Sequence, residues 1–143
     1  MRLLIDTNVI LDYLLARAGY EQDAKRVFSL AAYDESYEFV SSSAVTDIYY
    51  HVNKELHNTF EAQNRLRELL QILTVLDVTQ ENILQALDMR WKDFEDAVQY
   101  AVALANHIDI VITRNKKDYE SNAIPVMTPG EFLFLLNDEL NQG

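Results

Sequence analysis

Oxygen-bearing side chains directly follow two apolar segments of this sequence. Segment 6–8 (DTN) ends the run that begins at Arg2, and segment 113–115 (TRN) ends the β-branched run 108–113, with Asp118 three residues later. Asp93 and Asp96 are three residues apart, so they share one face if this segment is helical. Because the chain contains no cysteine, the ligands left for a metal ion are oxygens, which hard divalent cations prefer.

The elements that must position these residues follow from the apolar periodicity. Continuous or alternating apolar runs predict strands at 2–5, 37–43, 74–78, 108–113 and 124–128. Helical spacing predicts a helix from about 7 that stops before Gly19, and further helices at 21–32, 44–56, 61–73, 81–89, 93–107 and 129–140. A serine of the triplet 41–43 and Thr79 are predicted caps, and Thr128 to Glu131 has the spacing of a capping box.

The alternation of strands and helices predicts an α/β fold with a mainly parallel central sheet between helical layers. The scarcity of Gly and Pro, 3 and 2 in 143 residues, favours one domain over 1–143. Ligands of parallel sheets bind beyond the carboxyl ends of the strands, where segments 6–8 and 113–115 fall. Asp47, Asp93 and Asp96 lie on helices or helix starts, and the sequence shows only that their convergence with these segments is allowed.

The net charge of -11 argues against tight nonspecific binding to a polyanion. Divalent cations held by clustered acids would reverse the local sign, and a basic partner would cover the acidic surface. The N-terminus lacks the pattern of a signal peptide, and no window holds 18 uncharged apolar residues. We therefore expect a soluble, cytoplasmic protein.

Three blocks, taken in order and spacing, resemble the PIN domains, metal-dependent ribonucleases that include the VapC-like toxins of toxin-antitoxin pairs. The blocks are LLIDTNVILDYLL at the start, SSSAVTDIYY, and DFEDAVQYAVALANHIDIVITRNKKDY, so the resemblance covers nearly the whole chain. It implies a three-layer α/β/α fold and hydrolysis of single-stranded RNA with Mg²⁺ or Mn²⁺. It also implies an antitoxin as protein partner and a homodimer.

Matched residue by residue, the resemblance implies catalytic and metal-binding roles for Asp6, Asp47, Asp96 and Asp118, with Asn115 as polar support. The chain departs from the family at Asp47, where many active members have Glu, so this carboxylate is one methylene short. Its side chain is expected to reach the metal through water. Four loop residues are candidates for binding the substrate, with a solvated loop as the alternative: Thr113, Arg114, Lys116 and Lys117.

Other interpretations remain open at this point. Asp93 is expected to be a solvated helix acid, and His51 either orients Asp47 or is an ordinary histidine. The aromatic residues Tyr49, Tyr50 and Phe60 either stack on bases or belong to a core or a dimer interface. The whole chain could also be a degenerate module that only binds partners or nucleic acid, or a phosphohydrolase on a similar sheet.

Overall fold

A computed structural model describes residues 1–142 of the chain. Its centre is a five-stranded sheet in the order β3-β2-β1-β4-β5, and every neighbouring pair is parallel. The strands are β1 (Arg2–Ile5), β2 (Tyr37–Ser41), β3 (Thr74–Leu76), β4 (Ile110–Ile112) and β5 (Val126–Met127). The first strand lies in the middle because β2 and β4 pair with its two edges.

Helices cover both faces of this sheet. They are α1 (Thr7–Leu14), α2 (Glu21–Ala32), α3 (Ser42–Leu56), α4 (Thr59–Leu69), α5 (Gln80–Met89), α6 (Phe94–Ala105) and α7 (Pro129–Gln142), and a short 3-10 turn spans Lys116–Asp118. None of the helices described in residues 1–142 has the length and apolarity needed to cross a bilayer.

The alternation of side chains along the strands divides the core into two layers. Leu3 and Ile5 of β1 point into a large cluster with apolar residues of α1, α2, α3, α4 and α7, whereas Leu4 packs with Tyr100 of α6 on the other face. A smaller cluster joins α5 to α6. This is the predicted three-layer α/β/α architecture, and its parallel strands bring their carboxyl ends to one edge.

The predicted caps are present. Ser41, from the serine triplet, caps α3, and Thr79 caps α5 in a capping box with Asn82. At the start of α7 the Thr128 backbone N–H donates to Glu131 and the Glu131 N–H donates back to the Thr128 hydroxyl. These signals act within four residues, which is why the sequence revealed these caps, although the helices expected from 44 and 61 begin at Ser42 and Thr59.

Several predicted elements were too long, including the strands expected at 37–43, 74–78 and 124–128, which span Tyr37–Ser41, Thr74–Leu76 and Val126–Met127. The helix expected at 61–73 ends at Leu69, since residues 70–73 turn so that Thr74 can pair with Phe39 of β2. The strand expected at 108–113 is regular only over Ile110–Ile112. Its flanks still bond to the sheet, because Asp109 N–H donates to the Arg2 carbonyl and Thr113 N–H to the Met127 carbonyl.

Candidate metal centre

Asp6 lies at the junction of β1 and α1, at the carboxyl edge of the sheet. Its backbone N–H still donates to the Ile112 carbonyl of β4 at 2.9 Å, which continues the sheet by one residue. Its side chain then caps α1, with Oδ1 accepting from the Thr7 N–H at 2.7 Å. The carboxylate is therefore only 5% exposed and fixed to both elements.

The second oxygen of Asp6 accepts from side chains of the neighbouring strand and loop. Thr113 Oγ1 donates to Oδ2 at 2.7 Å, and Tyr119 OH does so at 3.3 Å. Asn8 Nδ2 lies 3.4 Å from the same oxygen. Together these donors hold the charge of Asp6 in a buried place where bulk water cannot solvate it.

Asp96 lies near Asp6, since Gln99 Nε2 is 2.8 Å from Asp6 Oδ1 and 3.5 Å from Asp96 Oδ1, and two further acids cluster with Asp96. Asp93 caps α6 by accepting from the Asp96 N–H at 3.0 Å, so both belong to the first turn of that helix, and Asp118 comes from the 3-10 turn after β4. One carboxylate oxygen of each of these three residues lies within 4.8 Å of the other two. We call the set Asp6, Asp93, Asp96 and Asp118 the acidic centre.

The acidic centre carries more negative charge than its surroundings offset. Burial first, and then the negative charges of Asp6, Asp93 and Asp118, together raise the pKa of Asp96 to about 7. Within residues 1–142, none of the ion pairs includes a member of this centre. The site is therefore one that a cation would stabilise.

The donor set fits a hard divalent ion. Carboxylate oxygens are the ligands that Mg²⁺ and Mn²⁺ take in proteins, and Mg²⁺ leaves several positions to water and substrate phosphates. A cavity of about 350 Å³ adjoins Asp93 and Asp118, so solvent and substrate have access to this side of the centre. Asp93, expected to be a solvated helix acid, is part of the cluster as well as a helix cap.

Sequence reasoning missed two residues that contact the acidic centre, Gln99 and Tyr119. Gln99 donates from Nε2 to Asp6 Oδ1 at 2.8 Å and lies 3.5 Å from Asp96 Oδ1. Tyr119 lies against the same carboxylates, and its pKa is raised by burial first and then by the charges of Asp6 and Asp96. The signal for Gln99 was its spacing of three from Asp96 on a helix, whereas Tyr119 had no comparable local signal.

Asp47 lies on α3 and is outside the group that Asp93, Asp96 and Asp118 form. Its carboxylate Oδ1 is 3.4 Å from His51 Nε2, one helical turn along α3, and its side chain is 45% exposed. It lines a hollow of about 20 Å³ together with Thr7, Ser43, Glu95 and Gln99. Gln99, which lines this hollow with Asp47, also donates to Asp6.

The candidate substrate-binding residues have different surroundings from one another. Thr113 is fully buried and supports Asp6, while Arg114 donates to the buried Asp12 at 2.6 and 3.1 Å and stacks over Tyr20. Lys116 pairs with Glu131 at 2.9 Å. Asn115 is exposed and lines a separate cavity at the start of α7.

Lys117 is the member of this group that lines the cavity beside Asp93 and Asp118. Lys92, which the sequence did not indicate, lines the same cavity. Within residues 1–142 neither lysine takes part in an ion pair, whereas Arg114 and Lys116 are paired with Asp12 and Glu131.

Comparisons with known proteins agree with this architecture. A PIN domain model matches residues 2–117. Ribonuclease VapC1 of Aquifex aeolicus (strain VF5) is 27% identical over 139 residues, which cover 92% of this chain and 92% of the relative.

Solved structures share the fold. A toxin-antitoxin complex from Klebsiella pneumoniae superposes with a TM-score of 0.66 at 24% identity, covering 89% of this chain and 97% of the other. DNA-bound VapBC from Salmonella typhimurium gives a TM-score of 0.70 at 16% identity, covering 90% and 98%. With the family model spanning most of its length and the acids at the expected edge of the sheet, this chain belongs to the PIN domain family.

Proposed function

We propose that this protein is a Mg²⁺- or Mn²⁺-dependent endoribonuclease that cleaves single-stranded RNA, and the toxin of a type II toxin-antitoxin pair. The observation that carries the proposal is the cluster of Asp93, Asp96 and Asp118 near Asp6 at the carboxyl edge of a parallel sheet, with no ion pair to any of these acids within residues 1–142. The similarity to Ribonuclease VapC1 supports the choice of RNA as substrate.

Each acid has a role in this proposal. Asp6, Asp96 and Asp118 would hold the ion directly, Asp93 would add charge at the rim, and Asp47 would act through water. A bound divalent ion supplies a nucleophilic water and stabilises charge on the attacked phosphate. Asn115, which lies off the centre, would contact the substrate chain beyond the cleaved bond.

The protein's own residues orient the reacting groups. Thr113 and Gln99 fix the carboxylate of Asp6, so that the ligand atoms are in place before the ion and RNA arrive. Lys92 and Lys117 lie beside the cavity at Asp93 and Asp118, where they would neutralise the phosphates of the approaching strand. The positive charges of these two lysines would oppose the repulsion of RNA phosphates that the net charge of -11 leads us to expect.

The proposed partners are an antitoxin and a second copy of the chain. The structures similar to this protein include toxin-antitoxin complexes, which supports an antitoxin. For the homodimer, the leucines of segment 61–73 are candidates only in part, because Leu69 and Leu73 are buried in the chain's own core while Leu70 is 36% exposed. The exposed Tyr50 and Phe60, 60% and 77% accessible on the packed pair α3 and α4, are better candidates. We place the reaction in the cytoplasm, where the RNA substrates are.

A cleavage assay on mixed single-stranded RNA and DNA tests the proposal. We expect RNA to be cut only with Mn²⁺ or Mg²⁺, and cutting to stop with a chelator or in Asp96→Asn. Asp88→Asn, which removes an exposed acid of α5, is the matched control and should cleave normally. Metal binding without cleavage would favour a module that only binds partners, and preference for small phosphate esters would favour a phosphohydrolase.

A further inference from the structure

Gln99 is a buried amide between two acids of the centre. It follows Asp96 by three residues in α6, so the two residues share one face of the helix, and Gln99 is only 4% exposed. Nε2 donates to Asp6 Oδ1 at 2.8 Å and lies 3.5 Å from both Asp96 Oδ1 and Tyr119 OH. One nitrogen therefore lies within hydrogen-bond distance of two carboxylates from different elements.

The orientation of this amide is fixed by its neighbours. Ionised carboxylates only accept hydrogen bonds, so the end of the amide that faces Asp6 must be the NH₂ group. The amide oxygen Oε1 is then the other end, and among the described residues it has no hydrogen-bond donor. Gln99 also lines the hollow of about 20 Å³ beside Asp47, which is large enough for one water, since about 10–15 Å³ suffices.

A side chain that only filled the core at this position would be apolar. Burying a polar atom without a partner is destabilising, and methionine of similar size would avoid this cost. The polar end that does have partners faces Asp6 and Asp96. The hydrogen bonds that its N–H groups donate to these carboxylates therefore explain why an amide is present here.

We propose that Gln99 is a positioning residue that clamps the carboxylates of Asp6 and Asp96 at the spacing needed to bind one divalent cation. Without such a donor, the two like charges would separate or take up a proton. The neutral amide holds them together without occupying the place of a cation, as a lysine or arginine would. This inference rests on the proposed function for its metal, and it concerns residues of this chain alone.

Two substitutions at Gln99 test separately the loss of its N–H groups and the addition of a negative charge. Gln99→Met removes the N–H groups at similar size, and Gln99→Glu keeps the shape but places a third charge against Asp6 and Asp96. Loss of a partner that orients a metal ligand commonly lowers metal affinity by about 10- to 100-fold, and we expect this for Gln99→Met. Gln99→Glu should unfold at a lower temperature than wild type without metal and gain more from Mn²⁺, because the added charge both repels the acids and attracts the ion.

Binding of Mn²⁺, followed by electron paramagnetic resonance of the free ion, gives a readout that does not depend on cleavage. Gln85→Met, an exposed glutamine of α5, is the matched control and should bind Mn²⁺ like wild type. Unfolding curves without metal confirm that each variant is folded at the temperature of the titration.

A double-mutant cycle then separates positioning from a general loss of structure. If Gln99 acts through Asp6, the losses of Mn²⁺ affinity in Gln99→Met and Asp6→Asn should not add, whereas those of Gln99→Met and Asp118→Asn, which Gln99 does not contact, should add. Additive losses in both cycles, or wild-type affinity in Gln99→Met, would overturn the proposal. Failure of wild type to cut RNA while these couplings persist would refute the proposed function alone.

Discussion

Glu38 gives a quantitative test of how strictly this core excludes water. It lies on β2, two residues before Val40 and on the same face of the sheet, and is only 2% exposed. Oε2 accepts from the Ser36 hydroxyl at 2.8 Å, while Oε1 has no hydrogen-bond partner among the described residues. Burial raises the pKa of Glu38 from 4.5 to about 7, although the hydrogen bonds from Ser36 and the Ala31 backbone act in the opposite direction.

The raised pKa of Glu38 determines how the free energy of unfolding changes with pH. The folded state binds the proton of Glu38 more tightly than the unfolded state, so the stabilisation is fully present below pH 4.5 and is lost as the pH rises to about 7. One pKa unit corresponds to about 1.4 kcal/mol, which gives a total of about 3 kcal/mol across this window. Between pH 5.5 and pH 8 the expected loss is about 2 kcal/mol.

Glu38→Gln removes the charge and keeps an oxygen that can accept from Ser36. We expect its free energy of unfolding, relative to wild type, to rise by about 2 kcal/mol from pH 5.5 to pH 8. Chemical denaturation at both pH values measures this difference, and both lie above the sequence pI of about 4.5, which limits precipitation. Glu35→Gln, an exposed neighbour of the same charge, should show no comparable change.

A difference between Glu38→Gln and wild type that stays constant over this pH range would refute the reasoning. It would mean that the Glu38 carboxyl is hydrated in the folded protein. Equal pH dependence in Glu35→Gln would also refute it, since net charge rather than burial would then be the cause.

Three further predictions concern the site and its support. Mn²⁺ should raise the melting temperature of wild type by mass action, by the equivalent of about 2.7 kcal/mol at 100 times the dissociation constant, and less in Asp6→Asn; equal shifts would remove Asp6 from the site. At saturating Mn²⁺, Asp47→Asn should lower RNA cleavage less than Asp6→Asn, and Asp47→Glu should keep or raise it, because the shorter Asp47 side chain is expected to act through a water; the reverse order in a cleavage assay would contradict this role. Arg114→Met should lower the free energy of unfolding by about 3 kcal/mol, because it leaves the buried Asp12 without its main partner. Lys116→Met, which breaks an exposed pair with Glu131, should lower it by less than about 1 kcal/mol. Similar losses for the two variants in denaturant titrations would rule out a special role for the buried pair.

The sequence by itself determined the order of elements and the class of fold. Helix starts at Ser41, Thr79 and Thr128 were predicted because a cap acts on backbone groups within four residues. The β-branched run around Val111 predicted a strand covered on both faces, and the fold places it beside β1. The position of Asp6 at a strand end was likewise local information, since it depends only on where the apolar run stops.

Only the tertiary structure decided which side chains meet. Asp93 and Asp47 were both expected on helices or helix starts, yet Asp93 clusters with Asp96 and Asp118 whereas Asp47 contacts His51 on its own helix. Arg114 was a candidate for binding phosphate, but Asp12, 102 residues away in the chain, takes up its charge. These outcomes depend on strand order and on the packing of α1 and α6 against the sheet, which bring together residues far apart in sequence. Local periodicity carries no information about such distances, because the same pattern of apolar residues is compatible with many pairings of the polar side chains.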